Sequence, residues 1–186
     1  MKRIFDILLS VGILIVLAIP MLLILVLVRL TSKGPAIYWS KRIGMNGVIF
    51  EMPKFRSMQM DTPTVATHLM EKPDDFLSPI GAFLRRSSLD ELPQILSILK
   101  GNMSFIGPRP ALFNQQDLIL LRKKNGIDGV KPGITGWAQV NGRDELSIAD
   151  KVGFDVEYAN NQSLLFDLKI LWMTFVKVIK RTGVAH

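Results

Sequence analysis

Asp90 and Glu91 stand side by side in Ser87-Ser88-Leu89-Asp90-Glu91-Leu92-Pro93-Gln94, with Arg85 and Arg86 just upstream. Two adjacent carboxylates beside two guanidiniums can hold a divalent metal and a phosphate group together, which points to metal-assisted phosphate chemistry. Leu92, Ile95, Leu96 and Leu99 recur at helical spacing, and Gly101 is the residue type that closes a helix in the left-handed conformation. Pro93 is tolerated best in a first turn, so the acidic pair falls at or near a helix start. There, free amides and the helix dipole keep carboxylates ionised and accept phosphate. The same residues also spell a solvated capping box, Ser88-x-x-Glu91, with no chemistry attached. Local sequence leaves the two readings evenly balanced.

The composition narrows the chemistry. The 186 residues suffice for one domain with a real core, and 23 Lys and Arg against 16 Asp and Glu give a net charge of +7. That charge suits nucleic acid, anionic lipid or phosphorylated substrates alike. There is no cysteine, and the histidines are His68 and His186. Disulfides, thiolate nucleophiles and Cys- or His-rich metal sites are thereby excluded, so any metal should be a hard, oxygen-loving ion such as magnesium.

The elements that must position the pair begin with a membrane segment. Ile7 to Val28 carries no charge, and as a helix it would extend about 33 Å, enough to cross a hydrocarbon core about 30 Å thick. Pro20 lies inside it, and basic residues flank both ends: Lys2 and Arg3 before, Arg29 and Lys33 after. A helix bent at Pro20 could enter and leave by one face and keep both basic ends on the cytoplasmic side. An ordinary spanning helix also tolerates a proline, and on these residues alone it is the more common outcome.

Beyond Gly34-Pro35, Ala36 to Trp39 and Val48 to Met52 read as a small hairpin around Gly44-Met45-Asn46-Gly47. Lys54-Phe55-Arg56-Ser57-Met58 either aims basic groups at phosphate or forms a wet strand edge; by itself it reads as the edge. Asp61 to Asp75, with Pro63, Pro73 and a solvated His68, reads as a loop. Ser78-Pro79 opens a short helix towards Arg86, and Gly107-Pro108-Arg109-Pro110 is a rigid turn presenting one guanidinium. Leu112 to Lys124 reads as a helix. The turn-rich stretch from Lys131 through Trp137 to Arg143 is either a folded-in support or a ligand wall. Ser147-x-x-Asp150 caps a helix towards Asn160. On a helical wheel, Ser163 to Arg181 gathers Asp167, Lys169, Thr174, Lys177, Lys180 and Arg181 opposite Leu164, Leu168, Leu171, Trp172, Phe175 and Ile179. Such a helix either lies in a membrane interface or packs on the core.

Taken together, Lys2-Arg3-Ile4-Phe5-Asp6 before the Pro-interrupted segment, Lys54 to Met58, Leu89 to Gln94, Lys100 to Pro110 and Lys131 to Arg143 resemble the monotopic phosphoglycosyl transferases, also called bacterial sugar transferases, in their small single-domain form. The resemblance implies an α+β fold, mainly helical and membrane-associated. Residues 1–33 would be an N-terminal re-entrant membrane helix broken at Pro20. Residues 34–186 would be a catalytic domain with a small β-hairpin and an interfacial amphipathic helix at 163–181. It further implies that a UDP-sugar gives its sugar phosphate to polyprenyl (undecaprenyl) phosphate with release of UMP. This would be the first membrane step of bacterial glycoconjugate assembly, on the cytoplasmic face of the inner membrane.

In that reading Asp90 is the nucleophile of a covalent phosphosugar intermediate, and Glu91, with Asp90, holds Mg2+. Arg85 contacts phosphate or polyprenyl phosphate, and Arg109 binds the nucleotide side. Lys54, Arg143 and Asp155 have supporting roles. Membrane phospholipid is an expected partner and nucleic acid is not. The small members' preference implies an N-acetylated hexosamine donor. One departure is Ile19, where many members have a serine before the proline. The competing class is a membrane-tethered module that binds anionic lipid or nucleic acid without catalysis; no nucleic-acid-binding motif supports it.

Overall fold

A computed structural model describes residues 2–63, 72–142 and 146–180. Its first element is one helix, α1 (Lys2–Thr31), with Pro20 inside it. The break expected at Pro20 is therefore not a gap in the helix. Proline lacks an N–H and crowds one carbonyl a turn earlier, but its neighbours keep their own partners and a helix can continue across it. Ile15, Val16, Ile19, Leu22 and Leu23 are exposed, whereas Asp6, Ser10, Ile24 and Val28 are buried and share one side of the helix.

Both ends of α1 are tied to the rest of the chain. Near the start, Lys2 Nζ donates to Asp167 and to Tyr158 Oη, 2.5 and 3.1 Å away. Arg3 donates to the carbonyls of Ile98 and Leu99. Asp6 accepts from Ser104 Oγ and the Phe105 amide at 3.0 and 3.2 Å. Near the other end, Ile24 and Val28 pack with Ala36, Phe55 and Leu84.

The hairpin is longer than its sequence pattern suggests: β1 (Ile37–Ile43) pairs antiparallel with β2 (Ile49–Phe55), from Ile37 opposite Phe55 to Ile43 opposite Ile49. The reversal is tight because Asn46 and Gly47 take left-handed φ values of 57° and 75°. Lys54 consequently lies within a strand, opposite Tyr38. Cross-strand partners share a face, so Tyr38, Ser40 and Arg42 stand on the side that carries Lys54, Met52 and Phe50.

After α2 (Gly81–Arg86), the acidic stretch forms a 3-10 helix, Leu89–Gln94, that runs into α3 (Ile95–Lys100), closed by Gly101 at φ 91°. The capping box does not form: Ser88 is left-handed, at φ 55°, and its side chain makes no cap bond. Next, β3 (Ser104–Ile106) lies parallel to β4 (Gly133–Thr135). A Cβ on Gly107 or Gly133 would collide with the other loop's backbone, so these two turns can touch only because both are glycine.

Between the strands, α4 (Gln116–Lys124) begins later than Leu112, which instead bridges to Arg42. The turn-rich stretch is folded in. It forms β4 and α5 (Trp137–Asn141), and Trp137 meets Phe154 and Phe166 edge-on at 6.4 and 5.0 Å. Ser147 caps α6 (Ile148–Asn160) as expected, accepting from the Asp150 amide.

The last helix, α7 (Leu164–Lys180), departs from its wheel. Two members of its polar arc point inward: Asp167 to Lys2 and Tyr158, and Thr174 to Thr135. Most of its apolar arc is exposed, with Trp172 at 66%, Phe175 at 56% and Leu164 and Leu168 each at 44%, while Leu171 packs against the core. The main core gathers Phe50, Met52, Ile98, Met103, Ile106 and Ile170, between the hairpin, α3, β3 and α7.

Candidate active site

The 3-10 turn settles the two acids differently. Asp90 is 8% exposed, and no hydrogen bond from a described residue reaches its carboxylate. Burial raises its pKa, Lys54 and Arg85 oppose the rise, and the neighbouring Glu91 charge adds to it. Glu91 is bound: its Oε1 accepts from Lys54 Nζ at 2.8 Å and from Arg109 Nη2 at 2.9 Å. Burial alone would raise its pKa too, but the charges and hydrogen bonds of Arg109 and Lys54 overcome this, so Glu91 stays well below the usual carboxylate range. One acid is anchored as an anion while its neighbour is left unbonded.

Lys54 is only 14% exposed at its side chain, so its segment is not a wet edge. Burial lowers its pKa, and Glu91 works against that. Arg42, from the same hairpin face, donates through Nε to Ser40 at 2.9 Å and through Nη1 to the Pro110 carbonyl at 3.1 Å. Burial and the like charge of Arg109 bring its pKa to about 10, which leaves it charged at neutral pH. Arg85, in the last turn of α2, reaches Met58 Sδ at 3.3 Å, and its charge acts on Asp90. Lys54, Arg42, Arg85 and Arg109 are thus four cations around two carboxylates. The surplus positive charge suits an anionic ligand.

Asp155 does not join this cluster. It is buried on α6, and its Oδ2 accepts from Arg122 Nη2 and Nε at 2.7 and 2.9 Å. Arg122 also donates to the Arg109 carbonyl at 2.8 Å, so Asp155 is linked to the site through one side chain. Arg143 lies outside the described residues, as does His68.

Among the described residues no group of three or more acids and histidines is assembled to hold a metal. The pair still fits an ion shared with substrate, because magnesium commonly takes one or two carboxylates and fills its shell with phosphate oxygens and water. Both acids can contribute: no described residue donates to the Asp90 oxygens, and both Glu91 hydrogen bonds fall on Oε1.

The sequence reading missed Arg42 and Arg122. Arg42 carried a weak signal, alternating with Tyr38 and Ser40 on one strand face. Arg122 carried none, since the run Arg122-Lys123-Lys124 reads as a solvated helix end.

The model of the bacterial sugar transferase family matches residues 1–181. The chain belongs to that family. Among its relatives, the UDP-glucose:undecaprenyl-phosphate glucose-1-phosphate transferase of Escherichia coli K12 is 42% identical over 95% of this chain and 40% of its own length. The undecaprenyl-phosphate galactose phosphotransferase of Salmonella typhimurium LT2 is 37% identical over 98% of this chain and 41% of its own. The uncharacterized sugar transferase EpsL of Bacillus subtilis 168 is 38% identical over 99% and 90%. The chain thus spans about two fifths of the first and second of these relatives and nearly all of the third.

Proposed function

We propose that the chain is a phosphoglycosyl transferase that moves a sugar phosphate from a UDP-sugar to polyprenyl phosphate and releases UMP. The observation that carries the reading is the pairing of an unbonded, buried Asp90 with an anchored Glu91 inside a ring of four cations. The activities named for the E. coli and Salmonella relatives, both on undecaprenyl phosphate, support it.

In the first half-reaction an Asp90 oxygen attacks the sugar-linked phosphorus. The bond from that phosphorus to the bridging oxygen breaks, and UMP leaves with the electron pair. In the second, an oxygen of polyprenyl phosphate attacks the same phosphorus and expels the Asp90 carboxylate, which regenerates the enzyme. Arg109 and Arg85 neutralise charge on the transferring group, and Lys54 holds Glu91 in place. Mg2+ held by Glu91 and Asp90 with the diphosphate would supply further charge neutralisation. Burial helps the nucleophile, because a desolvated carboxylate without hydrogen bonds is more basic than one in water.

In this reading the protein sits on the cytoplasmic face of the bacterial inner membrane, with α1 re-entrant. Support comes from α1, whose two ends pack on one body while its middle is exposed and apolar. A spanning helix would carry one of those ends to the other side of the bilayer. The exposed apolar arc of α7 adds a second lipid-facing surface. Acceptor, donor and phospholipid then meet at one surface.

The test is UMP release from a panel of UDP-sugars with and without polyprenyl phosphate. Acceptor-dependent UMP release with at least one donor is expected; no release with any of them would dismiss the reading. Topology has its own test, which the lack of native cysteine makes clean. Lys2→Cys and Val184→Cys should both resist an impermeant thiol reagent in intact cells. Labelling of Lys2→Cys alone would establish a spanning helix.

A further inference from the structure

The Gly107-Pro108-Arg109-Pro110 turn contains two prolines, which cannot donate a backbone hydrogen bond. The four carbonyls from Pro108 to Ala111 are nevertheless all occupied, each by a different residue. Pro108 accepts from the Gly133 amide at 3.0 Å and Ala111 from the Ile43 amide at 3.0 Å. Between them, Arg109 accepts from Arg122 Nη1 at 2.8 Å and Pro110 from Arg42 Nη1 at 3.1 Å. The two middle carbonyls, which flank the α-carbon of Pro110 and lie next to that of Arg109, are therefore held by side chains and not by secondary structure.

Each of these two side chains is itself fixed. The Arg122 guanidinium is fastened to buried Asp155 by two hydrogen bonds, and Arg42 is steadied by Ser40 on its own strand. Both guanidiniums are largely withdrawn from water, the Arg122 side chain to 13% exposure, so placing them on backbone carbonyls carries a desolvation cost that a neutral donor would not. What the arrangement secures is direction. The turn that launches Arg109 is clamped from α4 on one side and from the hairpin on the other, while the Arg109 fork reaches Glu91.

We propose that Arg42 and Arg122 are positioning residues for Arg109, fixing the backbone from which its guanidinium meets the donor phosphates. This rests on the reading of Arg109 as a donor contact given above. Asp155 acts one step further out, by holding Arg122.

A double-mutant cycle on the full-length protein in lipid nanodiscs separates this from a purely structural role. Donor KM, kcat and unfolding temperature are measured for Arg42→Gln, Arg109→Ala and the double variant. Misaligning a substrate-holding group typically costs one to two powers of ten, so Arg42→Gln should lower kcat/KM by about tenfold or more, chiefly through donor KM. In the Arg109→Ala background the same change should cost less than about twofold, because its target is gone.

Arg122→Lys should behave like Arg42→Gln, since a lysine can pair with Asp155 or reach the Arg109 carbonyl but cannot span both. Should Arg42→Gln fail to fold, Arg42→Lys, which keeps the charge and one donor, takes its place in the cycle. Equal losses in both backgrounds would overturn the proposal, and so would wild-type kinetics for Arg42→Gln when Arg109→Ala is impaired. Wild-type kinetics for Arg109→Ala itself would remove Arg109 from donor binding, and the clamp's purpose with it.

Discussion

Two polar networks tie this chain together, and they are built on opposite terms. At the start of α1, Lys2, Asp167 and Tyr158 form a closed set. Asp167 takes one cation and one hydroxyl, and the single Tyr158 proton lies between Asp167 at 2.9 Å and the Ile106 carbonyl at 3.2 Å. Asp6 beside them accepts from a hydroxyl and an amide. Around Asp90 and Glu91 the set is open: four cations face two acids, and one acid accepts nothing from its described neighbours. A network that is satisfied internally stabilises a fold. One left with surplus charge and an unbonded carboxylate is complete only with its ligand.

Substitutions should divide along the same line, and the largest effect belongs to the open network. Asp90→Asn should abolish turnover, by about a thousandfold or more as for other nucleophile removals, while leaving the unfolding temperature unchanged or slightly higher. Labelled UDP-sugar without acceptor should mark wild-type protein only. Equal labelling of Asp90→Asn would move the nucleophile elsewhere.

Glu91→Gln should cost about a hundredfold, in the range of lost electrostatic stabilisation, and should shift the magnesium titration to higher concentration. An unchanged titration would confine Glu91 to anchoring Lys54 and Arg109. In the closed network, Asp167→Ala should instead destabilise by about 2 kcal/mol, discounted because Lys2 is one-third exposed. Specific activity of the folded fraction should hardly change. A selective loss of turnover there would blur the distinction between the networks.

Arg109→Lys keeps the charge and loses the fork, and should cost about tenfold in donor kcat/KM. The smallest effect expected is in pH dependence. Because burial raises the Asp90 pKa, its ionised form is lost sooner on acidification. The acid limb of kcat/KM should therefore lie above the ordinary Asp value of about 4. A limb at the ordinary value would assign that titration to another group.

How far the sequence foretold these networks follows from the reach of their contacts. The apolar helix, the Ser147 cap, the hairpin and the acidic pair are local patterns and were readable. Lys54 was not, because the partner that takes it off a wet edge is Glu91, 37 positions later. Asp167 looked like the polar side of a surface helix for the same reason: its cation is Lys2, at the other end of the chain. The capping-box reading of Ser88 and Glu91 failed because a left-handed Ser88 starts a 3-10 turn and tertiary cations claim Glu91. Periodicity shows which residues share a face. It does not show whether that face meets water, lipid or a charge brought from far away.

The two hydrogen bonds from Arg3 to Ile98 and Leu99 bear on how the protein can be handled. These carbonyls belong to the last turn of α3, the helix that continues directly from the acidic 3-10 turn. The Ile98 carbonyl also accepts from the Gly101 amide at 2.9 Å, and a cation at this helix end offsets the dipole. Trimming away the apolar N-terminal helix to obtain a water-soluble fragment would strip that cation from the far end of α3 and leave Asp167 without Lys2. Extraction with that helix intact, in a detergent or polymer that shields it, preserves both ties.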